Sequence, residues 1–240
     1  MTGGTPQADS GDAGMAPPAE APGEPAWLRR PAAAESRPSR PLAPSALGED
    51  RVADPPPGPA LLAAARRGRL LHALFERLPV LPPEIRVAVG ERWLEHSGGV
   101  EDIAERAALV RDVVAIVADP AYAAIFAPEA LAEAPIAAVL ANGQVVAGTV
   151  DRLLVEPDRV MLIDFKTGRR APASIEQVPE HHLGQMAAYA AALAVILPDR
   201  RIEAALLYTS GPNLIPLPVA VLEAHKPGLG GAEQMLELDG

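Results

Sequence analysis

Two acids and a lysine stand out by their spacing. In RVMLIDFKTG, Asp164 and Lys166 lie two residues apart at the end of an apolar stretch that stops at Thr167-Gly168. Side chains alternate across a β-strand, so Asp164 and Lys166 share a face while Phe165 points the other way. Just upstream, AGTVDRLLV carries Asp151 in a second strand-like stretch, and Pro157-Asp158 separates the two. If those two residues form a hairpin loop, Glu156 faces Arg159, and counting back sets Asp151 directly opposite Asp164. Directly opposed residues on one face hold their Cβ atoms about 4.5 to 5.5 Å apart. Two carboxylates that close repel unless a proton or a cation sits between them.

Such a pair suits a hard divalent cation, Mg²⁺ or Mn²⁺, which would neutralise a phosphodiester and activate water. A lysine beside it could orient or deprotonate that water, or stabilise charge developing on the phosphate. An isolated Asp-x-Lys on a strand is more often a surface pair worth at most ~1 kcal/mol. The opposed Asp151 is what favours chemistry here.

The surrounding pattern predicts the elements that must hold these residues. After Pro59, ALLAAARRGRLLHALFERLP has helical spacing, with Leu61, Ala64, Leu71, Leu74, Phe75 and Leu78 near one stripe and Pro79 ending it. PPEIRVAVGERWLEH and GVEDIAERAALVRDVVAIVAD continue as helices, the second opened by acids at its positive end, and DPAYAAIF reads as a short further one. Then the period changes. EAPIAAVL, QVVAGTVDRLLV and RVMLIDF read as three successive strands, the first two joined by an Asn142-Gly143 turn. LGQMAAYAAALAVIL is helical, IEAALLYTS is strand, and the prolines of NLIPLPVAVL keep it at an edge. The fold class expected is α+β, a mixed sheet with an antiparallel meander, a helical N-terminal half and flanking helices.

Composition narrows the rest. The 240 residues are 49% hydrophobic, enough for one real core. No cysteine is present, which excludes thiolate ligands and nucleophiles and fits a reducing cytoplasm. No run approaches the roughly 20 apolar residues of a membrane span, and no leader pattern opens the chain, so a cytoplasmic protein is expected. Residues 1–59 hold 13 of the 27 prolines, and 1–58 reads as a disordered tail or linker before a domain at 59–240. RPSRPLAPSAL within it could dock as an extended peptide, with a plain linker favoured. The net charge of -10 argues against a free-standing nucleic-acid binder. No phosphate-binding G-x-x-x-x-G-K-[ST] loop occurs, so the chain has no ATPase of its own.

The run AGTVDRLL, MLIDFKTG, GQMAAY resembles the RecB-like branch of the PD-(D/E)XK nucleases, most of all the C-terminal nuclease domain of AddA-type helicase-nucleases. Gly148 and Asp151 match that family's G-x-x-D motif, Asp164 and Lys166 its D-x-K pair, and Gln185 and Tyr189 its Q-x-x-x-Y helix. Glu133 in AEAPI resembles the upstream glutamate, His72 in LLHALFERLP the N-terminal helix histidine, and RPLAPSAL the approach to the domain. The resemblance implies a restriction-endonuclease-like α/β/α fold in which Asp151, Asp164, His72 and the Phe165 carbonyl hold the metal. Glu133 would assist at it, Lys166 would be catalytic, and Gln185 and Tyr189 would line the DNA path or brace the site. The activity implied is Mg²⁺-dependent hydrolysis of DNA phosphodiesters, on single strands delivered by an AddA-type motor with an AddB-like subunit, in double-strand break repair and recombination. The acidity would then mark a part of a larger machine, either a fragment of a long helicase or a separate nuclease protein. Two rivals are a catalytically silent nuclease fold that serves as a DNA-binding scaffold, and a stand-alone nuclease acting on other nucleic acid.

Two positions resist this assignment. A two-residue Asn142-Gly143 loop would set Ala134 opposite Asp151 and turn Glu133 to the wrong face, whereas a three-residue loop or a bulge restores it. His181 and His182, before the Gln185 helix, could meet phosphate but read as a solvated loop.

Overall fold

A computed structural model of the chain describes residues 41–46, 58–168 and 170–228. Most of the expected tail, 1–58, lies outside them. Three helices come first, α1 (Pro59–Arg77), α2 (Pro83–His96) and α3 (Ile103–Ala118). Prolines open the first two, where a missing N–H costs nothing, and Asp102 caps α3 by accepting from Glu105 N at 2.7 Å. DPAYAAIF forms only a 3₁₀ turn, at Pro120–Tyr122.

Five strands make one mixed sheet in the order β1 (Ala130–Val139), β2 (Val145–Val155), β3 (Arg159–Lys166), β4 (Arg201–Tyr208), β5 (Asn213–Leu217). The first three are the expected antiparallel meander; β4 runs parallel to β3, across the helix α4 (Glu180–Ile196), and β5 is an antiparallel edge. The expected continuous NLIPLPVAVL strand stops at Leu217: Pro218 leads into a short helix α5 (Val219–Ala224). Its missing N–H ends the ladder and its fixed φ suits a helix start.

The sheet is covered on both faces, so β3 alternates apolar contacts to each side. Leu162, Val146, Val150 and Leu206 pack with Met186, Tyr189 and Leu193 of α4. Ile163, Phe165 and Leu207 pack with Leu71, Leu74 and Phe75 of α1 and with Val110 and Val113 of α3. The stripe expected for α1 is corrected at its start. Leu61 is 63% exposed and Ala64 is exposed, because the first two turns run beyond the described elements that cover the rest; Gly68 and Leu70 are buried instead.

Two details fix the meander. Glu156 N bonds Arg159 O at 2.8 Å, which closes the expected two-residue Pro157-Asp158 loop. At the other hairpin Leu140 N bonds Gln144 O, so the loop has three residues, Ala141 to Gly143, with Gly143 in the left-handed region at φ 81°. Part of the presumed linker is docked: Leu42 N bonds Val145 O at 2.7 Å, and Ala147 N bonds Leu42 O at 3.0 Å.

Arg152 ties α1 to the sheet. It is 2% exposed, donates to the carbonyls of Phe75 and Ala130, and lies 5.4 Å from the centroid of the Phe126 ring. Truncation would leave two buried carbonyls without this donor, so Arg152→Ala should lower the unfolding free energy by about 3 kcal/mol. Urea denaturation checks this, and a change below about 0.5 kcal/mol, ordinary for a surface site, would refute it.

Candidate active site

The site forms where β2 and β3 part. Their ladder ends at Arg152–Ile163, and the next rung would set Asp151 against Asp164, as the loop count requires. The following amide of β3, Phe165 N–H, does not reach the β2 backbone but donates to Asp151 Oδ2 at 2.6 Å. Asp151 Oδ1 meets His72 Nδ1 of α1 at 3.1 Å. On β1, Glu133 falls between the Ala132–Arg152 and Ala134–Val150 pairs, hence opposite Asp151. The three-residue loop restores the acid that a two-residue loop would have misplaced. Glu133 also holds φ 47°, a strained conformation for this residue type that interrupts the ladder at the site.

One ligand atom from each of His72, Glu133 and Asp151 lies within 4.8 Å of the others. Asp164 stands beside this trio, not in it. Asp164 is 5% exposed, and its carboxylate is held by Lys166 Nζ at 2.9 Å and by Gln185 Nε2 of α4 at 2.9 Å, while Gln185 Oε1 accepts from Lys166 Nζ at 2.5 Å. The two opposed acids therefore serve different partners, Asp151 on the α1 side and Asp164 on the α4 side. Phe165 contributes its amide, and its ring packs 4.8 Å from Phe75 and 6.0 Å from His72. Tyr189 is fully buried, one turn along α4 from Gln185. A Cβ at position 148 would come within 2.8 Å of its hydroxyl and 3.3 Å of Pro44 Cδ, which is why Gly148 must be a glycine.

The acids are crowded. Burial, then the charge of Asp151, pushes Asp164 up to about 6, against the pull of Lys166. Burial and Asp151 also raise Glu133. Burial works against protonation of His72, yet its bond to Asp151 and the charges of Asp151, Asp164 and Glu133 outweigh it, so its pKa is raised. Imidazole and carboxylate donors with surplus negative charge fit a divalent cation.

One residue that spacing did not reveal is Gly68. A Cβ there would sit 2.8 Å from Thr167 Oγ1, next to Lys166, so α1 approaches the end of β3 at this point. The available signal was a glycine inside a helix, which costs about 1 kcal/mol and asks for a reason. His181 and His182, expected in a loop, are in the first turn of α4.

The chain belongs to the PD-(D/E)XK nuclease superfamily, whose profile matches residues 47–229. It carries a nuclease domain of that class, and the five-stranded mixed sheet with its helices agrees with the restriction-endonuclease-like fold. No curated protein matches it in sequence. A solved structure titled "Crystal structure of SSO0001" aligns with 75% of this chain and 88% of that one, at 14% identity and a TM-score of 0.32, a likeness too loose to argue from.

The crowding has a sign. A group whose pKa is higher in the folded than in the unfolded chain stabilises the fold below its unfolded value and loses that contribution as pH rises through the folded one. Asp164, Glu133 and His72 all have this sense, so without metal the domain should lose stability as pH rises, for Asp164 between 3.8 and about 6. Because ligands must shed protons to bind, Mg²⁺ or Mn²⁺ should raise the melting temperature by several degrees at pH 8 and by much less at pH 5.5. Equal shifts at the two pH values in differential scanning calorimetry would contradict this.

Proposed function

We propose that this is the nuclease domain of an AddAB-type helicase-nuclease, a Mg²⁺-dependent deoxyribonuclease that hydrolyses single strands during double-strand break repair. The observation that carries the enzymatic part is the juxtaposition of the His72–Glu133–Asp151 donors with Lys166, which is locked to Asp164 and Gln185. The AddAB assignment rests on the order of the quoted motifs. The net charge of -10 supports it, because a domain fed by other subunits need not supply its own basic face.

His72, Glu133 and Asp151 would hold the cation, with Asp164 and the Phe165 carbonyl completing its shell. Bound there, Mg²⁺ or Mn²⁺ would neutralise the scissile phosphate and lower the pKa of a coordinated water. His72 orients the Asp151 carboxylate through its Nδ1 contact, and the Phe165 amide holds the other oxygen. Gln185 fixes Lys166 at the exit of β3, where its ammonium can hold the attacking water or meet the charge that develops on the phosphate. Lys166 is only 14% exposed, so that charge acts in a setting where water screens little.

Lys166→Ala and Asp164→Ala should each reduce Mg²⁺-dependent cleavage of single-stranded DNA by at least about 10²-fold. EDTA should abolish wild-type cleavage, and both variants should keep the wild-type circular dichroism spectrum. Equal cleavage by wild type and both variants would remove the enzymatic assignment. Purification from cells without a copurifying AddB-like subunit, as a lone active oligomer, would remove the repair-machine part alone.

A further inference from the structure

Beside Lys166 a cleft of about 540 Å³ opens on the α4 side, with none of His72, Glu133 and Asp151 in its lining. Lys166, Arg170, His182 and Tyr208 are among its polar lining, with Pro172 and Pro179 as apolar walls. The volume is within the usual range for a small-ligand site, about 300 to 1,000 Å³. The catalytic arrangement above uses only Lys166 of these residues.

We propose that this cleft is a subsite for the nucleotide next to the scissile bond, in which His182, braced by Tyr208, donates a hydrogen bond to the neighbouring phosphate. The inference rests on the nuclease function proposed above and extends it to a residue that the motifs leave out. His182 Nδ1 lies 3.0 Å from Tyr208 Oη, and the two rings are 6.0 Å apart and tilted. Burial first, then the Asp164 charge, pushes Tyr208 up to about 12, so the phenol keeps its proton and can donate it. Burial, then the charges of Lys166 and His181, lowers His182 to about 3, so the ring is neutral. A neutral imidazole that accepts at Nδ1 carries its proton on Nε2. Nε2 has no protein partner among the described residues. With Tyr208 Oη donating to Nδ1, the cleft offers a neutral N–H donor at Nε2, together with the cations of Lys166 and Arg170. A phosphate suits that set, and an extended single strand that passes Lys166 brings its next phosphate to this side. His182 is a positioning residue in this scheme, since it touches no reacting atom.

The test compares wild type, His182→Ala and His182→Gln as full chains. One arm measures binding of a fluorescent oligothymidylate in Ca²⁺ by anisotropy. The other measures Mg²⁺- or Mn²⁺-dependent cleavage of that oligonucleotide and of bis(4-nitrophenyl) phosphate, which has no neighbouring phosphate. His182→Ala should weaken oligonucleotide binding and raise its KM about tenfold, the scale of one hydrogen bond to a charged group, with a smaller fall in kcat. The loss on the small diester should be less, and His182→Gln, whose amide still donates, should recover part of the affinity. Unchanged oligonucleotide binding and KM would overturn the proposal. So would an equal proportional loss on both substrates with no recovery in His182→Gln, which would mark a purely structural role. If wild type cleaves neither substrate, the nuclease function fails, while the binding arm still decides for or against His182.

Discussion

The structure depends on one departure from regular pairing, the end of the β2–β3 ladder after Arg152–Ile163. Had the ladder continued, the Phe165 amide would have met a β2 carbonyl and the two strands would have shut. The amide instead donates to the Asp151 carboxylate, at 2.6 Å. This satisfies a buried N–H, holds a carboxylate between two strands, and leaves the edge of β2 beyond it without its neighbour. The Leu42 segment takes up that edge through Val145 O and Ala147 N. Unpaired backbone groups at a parted edge are costly when buried, so the short segment ahead of α1 belongs to the same design.

The parting also sorts the charges. Asp151 faces His72 and Glu133 on the α1 side, while Asp164 meets Lys166 and Gln185 on the α4 side. A mostly buried ion pair such as Asp164–Lys166 is weak evidence of stabilisation, because desolvation offsets the attraction. Its retention is better explained by position. The pair keeps an ammonium beside a cluster of acids that would otherwise repel, and Gln185 leaves both members few alternative geometries. Arg152, on the α1 side with Phe75 and Phe126, adds a second fixed cation near the same acids.

What could be read from the sequence was what a local count controls. The Pro157-Asp158 loop closes as expected, and simple alternation from it sets Asp151 against Asp164. The Asn142-Gly143 hairpin shows the limit of that method. Asn-Gly signals a two-residue turn, but Ala141 joins the loop and shifts the β1 register by one, enough to decide whether Glu133 reaches the site. Nothing local to Ala141 distinguishes the two. The exposed start of α1 and the turn from strand to helix at Pro218 were missed for the same reason, since what lies across from a residue is set by distant chain. His182 read as solvated because its partner, Tyr208, is on β4, 26 residues away.

The placement of the lysine finally depends on an element that makes no chemistry. Gln185 can reach both Asp164 and Lys166 only if α4 lies close to the sheet at that turn, and Tyr189, one turn along, sets the spacing by pressing its hydroxyl toward Gly148. A Cβ at 148 would come within 2.8 Å of that hydroxyl and 3.3 Å of Pro44 Cδ, so one of these neighbours would have to shift. The same crossover helix brings β4 parallel to β3, pairing Lys166 with Tyr208, and so places the His182–Tyr208 pair beside the ammonium. A glycine on β2 and a tyrosine on α4 thus govern the distance between the acids and the cleft.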